Sequence, residues 1–440
     1  MSDLAVLASA NRHGRFLRLG ALIAGACLTL PIAAQLSTAY EEAPISYSSS
    51  ETANRADMLA LAIQAIPGRQ LPHEGKKALH RLLDEFSVPV ESQVLVFTKT
   101  SLQRNDIRPS NPRAIYFSDD TYLGYVPGGI LELSLHDPKL GLVFYEIHPR
   151  DQLIKRSRDC LSCHGGSRTD HWPGVFIRSV YSLPDGNPIT SRGSFLTTHE
   201  SPLEERWGGW YVTGQHGSSR HLGNLTIDPT KGNIPIDLEK GANLENLEDL
   251  FDTTKYPRNT SDLVALMVLE HQCEMHNRLS RGMLRTRKWM AYQKELDRSL
   301  GRKASEAPTG TARTVVQGES ERIVDFLLFR NEITLPESGI DGDPAFQASF
   351  RENRIEDSQG RSLKDFDLST RIFKHRCSYM IYSKAFESLP SSLKDAVYKR
   401  LAAVLQSKAI PDRHPDLNTE ERQVILDILT ETKPEITRYL

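Results

Sequence analysis

The amino-acid sequence predicts an α+β fold, an antiparallel β-rich region followed by a mainly α-helical region. Three observations carry this. Between Val94 and Ile147, short runs rich in β-branched and aromatic residues recur, separated by turn residues. From Leu263 the apolar spacing becomes that of a helix, opening with an unbroken apolar run, Leu263 to Leu269. Helical spacing then resumes in later segments, interrupted by Gly-, Pro- and Ser-containing stretches at 301–314 and 336–344. No repeat, coiled coil or low-complexity tract is visible.

Residues 1–39 read as a secretory signal peptide. Arg12, Arg15 and Arg18 form a positive n-region before the apolar run Leu19–Ala34, which Pro31 breaks and which is short for a membrane span. Cleavage is expected after Ala34 or Ala39. No consecutive arginine pair precedes the run, so the general export route is expected, and with it a periplasmic or otherwise exported location. The alternative is an uncleaved segment that serves as an N-terminal membrane anchor. Cys27 lies inside the run without a lipoprotein box and is expected to leave with the peptide.

Residues 40–54, polar and Ser-rich, read as a flexible lead-in. Helices are predicted at Arg55–Ile66, stopped by Pro67-Gly68, and at Lys76–Phe86, ending before Pro89. Strands follow at Val94–Phe97, Ala114–Phe117, Tyr122–Val126, Ile130–Leu135 and Leu142–Ile147, with Asp-Asp, Pro-Gly-Gly and Asp-Pro between them. This sheet leads directly into Cys160-Leu161-Ser162-Cys163-His164, a CxxCH motif. Two thiols at this spacing reach the two vinyl groups of one porphyrin, and the adjacent histidine serves as the proximal iron ligand. With five Cys and fourteen His in the chain, a chance CxxCH is expected roughly 0.002 times. A zinc site is the rival, but it wants a fourth ligand, no second CxxC exists, and His171 alone is a poor substitute. A redox dithiol is the other rival, and no strand-to-helix opening of thioredoxin type surrounds the motif.

Through these three residues the sequence resembles the c-type cytochromes, whose haem is attached after export, in agreement with the N-terminal signal. The resemblance implies one covalent haem c per chain, held by Cys160 and Cys163 with His164 on the iron. Across most of its length the chain is also similar to bacterial proteins described only as containing a cytochrome c domain, which implies no substrate. It departs from small cytochromes c in size and in having no Met between the motif and Met267.

After the motif, Gly165-Gly166 lets the backbone leave a porphyrin without clash, and Gly174–Tyr181 reads as a strand turned by Pro184-Asp185-Gly186-Asn187. Arg206 to Gly214 packs three aromatics among three glycines and reads either as an ordinary aromatic core strand or as a strand close to the cofactor. His199, His216 and His221 lie in the same part of the chain. In the second half, Ser261-Asp262 caps a predicted helix from Leu263 to about Leu296. Glu270-His271-Gln272-Cys273-Glu274-Met275-His276-Asn277 directly follows its apolar turn, and buried ionisable groups need partners or ligands. His271 and Met275 share a face and are the first candidates for the distal iron ligand. His216 and His221, flanked by Gly214, Gly217 and Gly223, are the competing donors. Further helices are predicted at Val315–Phe329, Arg371–Phe386, Ser392–Gln406 and Thr419–Thr430. Cys273 and Cys377 are either bridged or free and buried.

The organisation read from this is a β-rich, haem-binding region at 55–230 and a helical region at 231–440, with the haem between them. The formal net charge of −2 and the absence of a basic stripe exclude nucleic acid as a partner. Two functions remain. One is electron transfer by a six-coordinate haem with an exported or membrane-bound redox partner. The other is a haem enzyme of peroxidase or oxidoreductase type whose distal position is open or exchangeable.

Overall fold

The computed structural model describes residues 38–228, 230 and 237–440, so nearly all of the signal-peptide reading lies outside the described residues. Two helices open the fold, α1 (Arg55–Ala65) and α2 (Gly75–Phe86). Asn54 caps α1 in a reciprocal capping box with Asp57, which satisfies backbone donors that the first turn cannot. Five strands follow: β1 (Val94–Val96), β2 (Arg113–Ser118), β3 (Thr121–Tyr125), β4 (Leu131–Asp137) and β5 (Gly141–His148). Each pairs antiparallel with the next, at the places where the alternating runs predict. β6 (Leu153–Arg156) adds an edge beside β5 that its charged sequence does not announce.

The CxxCH motif forms a single helical turn, α3 (Leu161–His164). β7 (Ile177–Val180) then pairs with β8 (Ser194–Thr197) in a separate two-stranded sheet. β9 (Trp210–Tyr211) returns to the main sheet, whose order among the described residues is β6-β5-β4-β3-β2-β1-β9. Ser261 fixes that return, since its hydroxyl donates to Tyr211 O at 2.6 Å and accepts from Leu95 N at 2.9 Å.

The helical part is α4 (Leu263–Ser299), α5 (Gly310–Leu327), α6 (Pro344–Arg351), α7 (Lys384–Glu387), α8 (Ser391–Leu405) and α9 (Thr419–Thr432). No helix of the described residues is long and apolar enough to cross a membrane. Asp262 caps α4 by accepting from Ala265 N at 2.8 Å. Leu263 to Cys273 are buried without a break, as a helix apolar on every side must be, and the same cluster of apolar side chains includes residues of the sheet and of α5 and α8. Residues Thr38–Leu440 form one unit, so the β-rich and helical regions share a core.

Two expectations are corrected. Residues 40–54 are not a loose lead-in: Tyr40, Ile45 and Tyr47 are buried, and Tyr47 donates to Leu142 O at 2.6 Å. The Arg156 guanidinium also takes the carbonyls of Tyr47 and Ser50, each at 2.6 Å. Nor does Arg371–Phe386 form one helix. Ser378 N instead donates to Leu327 O at 2.7 Å and Phe366 bridges Phe373, which holds 371–378 irregular and leaves helix only at Tyr379–Tyr382 and α7.

Fully buried Arg206 and Glu270 join β9's approach segment to α4, with Nη1 2.7 Å from Oε2 and the rest of the guanidinium on Ser201 O. Burial pushes the Glu270 carboxyl up and Arg206 pulls it back. Arg206→Leu strands that carboxyl in the core and is expected to cost about 3–5 kcal/mol in urea denaturation, with Glu270→Gln in the Arg206→Leu background recovering part of it.

Candidate functional site

The single turn of α3 places the three motif side chains on one side, because Cys160, Cys163 and His164 stand at i, i+3 and i+4. His164 N donates to Cys160 O at 2.8 Å and Gly165 N to Leu161 O at 2.9 Å. Gly165 ends the turn under Tyr40, whose hydroxyl would lie 2.5 Å from a Cβ there. Both thiols are partly exposed and unbridged. Burial raises Cys160 to about 11, the opposite of the activated thiol that a redox dithiol requires.

His164 is held in one tautomer. Its Nδ1 lies 2.8 Å from Gly174 O, which only accepts, so Nδ1 carries the hydrogen and the Nε2 lone pair is free. Phe144 and Phe176 flank the ring, each with centroids 5.1 Å away, and burial lowers its pKa to about 4, so the imidazole is neutral. The acceptor is itself held by α4. Asn277 accepts from Val175 N at 2.9 Å and donates to Val175 O at 2.7 Å, taking the place of a neighbouring strand. Gly174 makes the approach possible, since a Cβ there would sit 2.4 Å from Asn277 Oδ1. Asn277 is the last residue of the ionisable cluster, and nothing in its local spacing announces Val175, about a hundred residues earlier, as its partner.

Cys160, Cys163 and His164 open on a cavity against one face of the main sheet. Register sets that face: Ile115, Gly124, Glu132 and Glu146 form one row across it, and Tyr122, Ser134 and Phe144 the next. Arg113 and Glu132 pair across Gly124, where a Cβ would stand 2.9 Å from both side chains. Trp210 of β9 also lines the cavity, so the glycine-flanked aromatic stretch does approach it, while α4 contributes Leu269 and Cys273. Arg168 and Arg178 stand at the same cavity without a carboxylate partner among the described residues. Burial, and then Arg168, lowers Arg178, whose Nε is buried and unpartnered.

The four expected distal donors lie elsewhere. His271 Nδ1 meets His199 Nδ1 at 2.8 Å and its Nε2 meets Ser378 Oγ at 2.7 Å, within a shell of Phe326, Phe329 and Phe373. Met275 is buried in the core and does not line the cavity. His216 spends one ring nitrogen on Ser219 O at 2.9 Å and the other on Asn243 N at 3.1 Å. His221 accepts from Gly223 N at 2.9 Å and stacks edge-on against Trp207 and His216. Sharing a helix face or a glycine-rich loop does not make these side chains point into one space. Among the described residues lining the cavity, His164 is the only histidine and no methionine is present. Cys273 and Cys377 are free and buried.

Among the described residues, no group of three or more His, Cys, Asp or Glu side chains is placed to hold a metal ion unaided. The chemistry of the site fits a porphyrin instead: two thiols at vinyl spacing, a neutral imidazole with Nε2 free, aromatic walls, and two unpaired guanidiniums for a ligand with two carboxylates. No family model matches the chain, and no curated protein or solved structure is significantly similar to it.

Two outcomes are expected. Asn277→Leu leaves both polar groups of Val175 without a partner and should cost about 1–3 kcal/mol for each group that stays dry, read as a lower urea midpoint. The second concerns acid. Burial lowers His136 to about 4, His199, His221 and His276 to about 3, and His271 well below its ordinary 6.5. These groups are neutral when folded, so below 6.5 the unfolded chain binds more protons. Stability is full above that value and is lost as pH falls towards 4, at up to about 1.4 kcal/mol per pH unit for each histidine. A urea midpoint that stays level from pH 6.5 to 4.5 contradicts this.

Proposed function

We propose that this chain is an exported mono-haem c-type protein in which Cys160 and Cys163 hold the porphyrin and His164 supplies the proximal nitrogen. The observation that carries the reading is the Nδ1 contact of His164 with Gly174 O, which presents Nε2 to a cavity shared with both thiols. The haem would supply a one-electron ferric/ferrous couple. The chain would bind and orient it, with the imidazole fixed through Gly174, Val175 and Asn277. Apolar walls would limit water around it, and Arg168 and Arg178 would receive its carboxylates.

Between the two functions, the cavity lining favours an iron whose far side is left to an exchangeable ligand. It presents no second histidine or methionine among its described residues, and it places Arg113, Glu132 and Tyr122 on the sheet face. Small-molecule redox chemistry follows from such a site. Electron transfer to an exported or membrane-bound partner keeps one observation of its own: Ser162 is exposed and Cys163 partly so, which brings one edge of the attachment turn close to the surface. Export rests on residues 1–39.

The chain expressed with haem-attachment machinery should give a haem-stained band after denaturation, lost in Cys160→Ala/Cys163→Ala. A mature protein with zinc and no porphyrin would end the proposal. The native ferric spectrum should be high-spin, and the ferrous form should bind carbon monoxide rapidly. His164→Ala should keep the stain and change the spectrum, while His271→Ala, Met275→Ala, His216→Ala and His221→Ala should leave the spectrum as it is. A low-spin ferric spectrum that any of these four converts to high-spin would return the assignment to a six-coordinate transfer protein.

A further inference from the structure

Behind the wall of the cavity, between β4 and α4, four buried polar atoms have no partner: Ser134 Oγ, His136 Nδ1, His276 Nε2 and Ser280 Oγ. Ser134 and His136 stand at i and i+2 on one face of β4, and His276 and Ser280 at i and i+4 on one face of α4. The two faces meet. The rings of His136 and His276 stack with centroids 6.0 Å apart and planes 15° apart, and Gly141, beside β4, lies close enough to Ser280 that a Cβ would reach its Oγ at 2.9 Å. A native core rarely leaves one such atom dry.

The hydrogens around them can be assigned. Gln272 Nε2 donates to Ser118 O at 2.8 Å and to Tyr122 Oη at 3.0 Å, and with the Tyr122 hydroxyl turned to His276 Nδ1 at 2.8 Å, rather than to the neighbouring Cys273 sulfur, it donates onward along the seam. His276 therefore carries its hydrogen on Nε2, the unpartnered atom. At the other end, Ser388 Oγ donates to Lys384 O at 2.7 Å and so accepts from His136 Nε2 at 3.0 Å. His136 Nδ1 is left as a bare lone pair. A lone donor and a lone acceptor thus stand on two stacked rings 6.0 Å apart, with two unpartnered hydroxyls on the same two faces, the polar partners that a buried water requires. The chain ends in solvent at half-buried Ser388, and it begins at Tyr122 and Ser134, both of which line the haem-motif cavity.

We propose that this seam holds ordered water and through it carries protons between solvent at Ser388 and the cavity wall at Tyr122. Each transfer breaks one O–H or N–H bond as the next forms. A proton taken by Tyr122 Oη releases that of the hydroxyl to His276 Nδ1. His276 Nε2 passes its own to the water, the water to His136 Nδ1, and His136 Nε2 to Ser388 Oγ, whose own hydrogen turns from Lys384 O and leaves to solvent. The charged groups near the outer end are Lys384, whose ammonium disfavours a cationic His136, and Asp120, which accepts from Lys384 N at 3.1 Å. Burial and then Asp119 raise Asp120 to about 6, so a proton-exchanging carboxyl stands at the surface terminus. What the protons serve rests on the haem reading; the seam itself does not.

The first measurement needs no haem. Nitrogen-15 histidine spectra of the full chain should show His136 and His276 as neutral Nε2–H tautomers, and a crystal structure should place water between His276 Nε2 and His136 Nδ1. Other tautomers, or a dry seam, overturn the proposal. The second uses haem-loaded protein, its content fixed beforehand by staining, with hydrogen cyanide as the probe, since binding as cyanide sends one proton out as the iron–carbon bond forms. Tyr122→Phe and the surface variant Ser388→Ala should each slow association about tenfold or more and reduce its solvent isotope effect, with the absorption spectrum kept. Unchanged rates in both overturn proton conduction. A chain without porphyrin, or a haem closed to cyanide, rejects the functional reading, and the tautomer and water measurement then decides the seam alone.

Discussion

The pair of hydrogen bonds between Asn277 and the backbone of Val175 is the constraint on which the site depends. The segment after the motif has no strand beside it at this point, and a side-chain amide from α4 supplies both the donor and the acceptor that a strand would have. Val175 is thereby fixed, Gly174 O with it, and the carbonyl selects the tautomer of His164. A helix from the second half of the chain thus sets the chemistry of a motif more than a hundred residues earlier, without touching the motif.

That arrangement explains why the first half of α4 can be both buried and polar. Glu270 has Arg206, His271 has His199 and Ser378, Gln272 has Ser118, Tyr122 and Tyr379, and His276 has Tyr122. Each of these offsets part of the desolvation that burial imposes. The partners come from the main sheet, from the loops around β8 and β9 and from the segment near residue 378, so the polar residues of α4 also lock the β-rich and helical regions together. Two atoms of α4 left without a partner, His276 Nε2 and Ser280 Oγ, stand on the face that meets β4.

Much of the fold was legible in the sequence because period-two spacing and an all-apolar helix turn report burial directly. The strands of the main sheet up to β5, the length of α4 and the cap at Asp262 follow from local pattern. β6 and β8 did not, since they are four-residue edge strands whose residues carry charge or polarity and so lack the alternation that marks a half-buried strand. The helix read across Arg371–Phe386 failed where a tertiary bond from Ser378 N to Leu327 O outweighed local spacing. In the site, CxxCH was legible as chemistry and the ionisable cluster as buried. Its direction was not. Spacing tells which side chains share a helix face but not which void that face meets, so His271 and Met275 were favoured where Cys273 is the one that lines the cavity.

The charges around the cavity bear on what it can hold. His164 is neutral, and Arg113 is neutralised by Glu132 across the gap that Gly124 leaves. Arg168 and Arg178 have no such partner among the described residues, and burial and then the charge of Arg168 disfavour the cationic form of Arg178. A neutral occupant would leave that cost in place; one with two carboxylates removes it. The proposed haem would therefore meet the cavity twice, through the thiols and imidazole and through unbalanced positive charge. The second match does not depend on the motif that first pointed to haem.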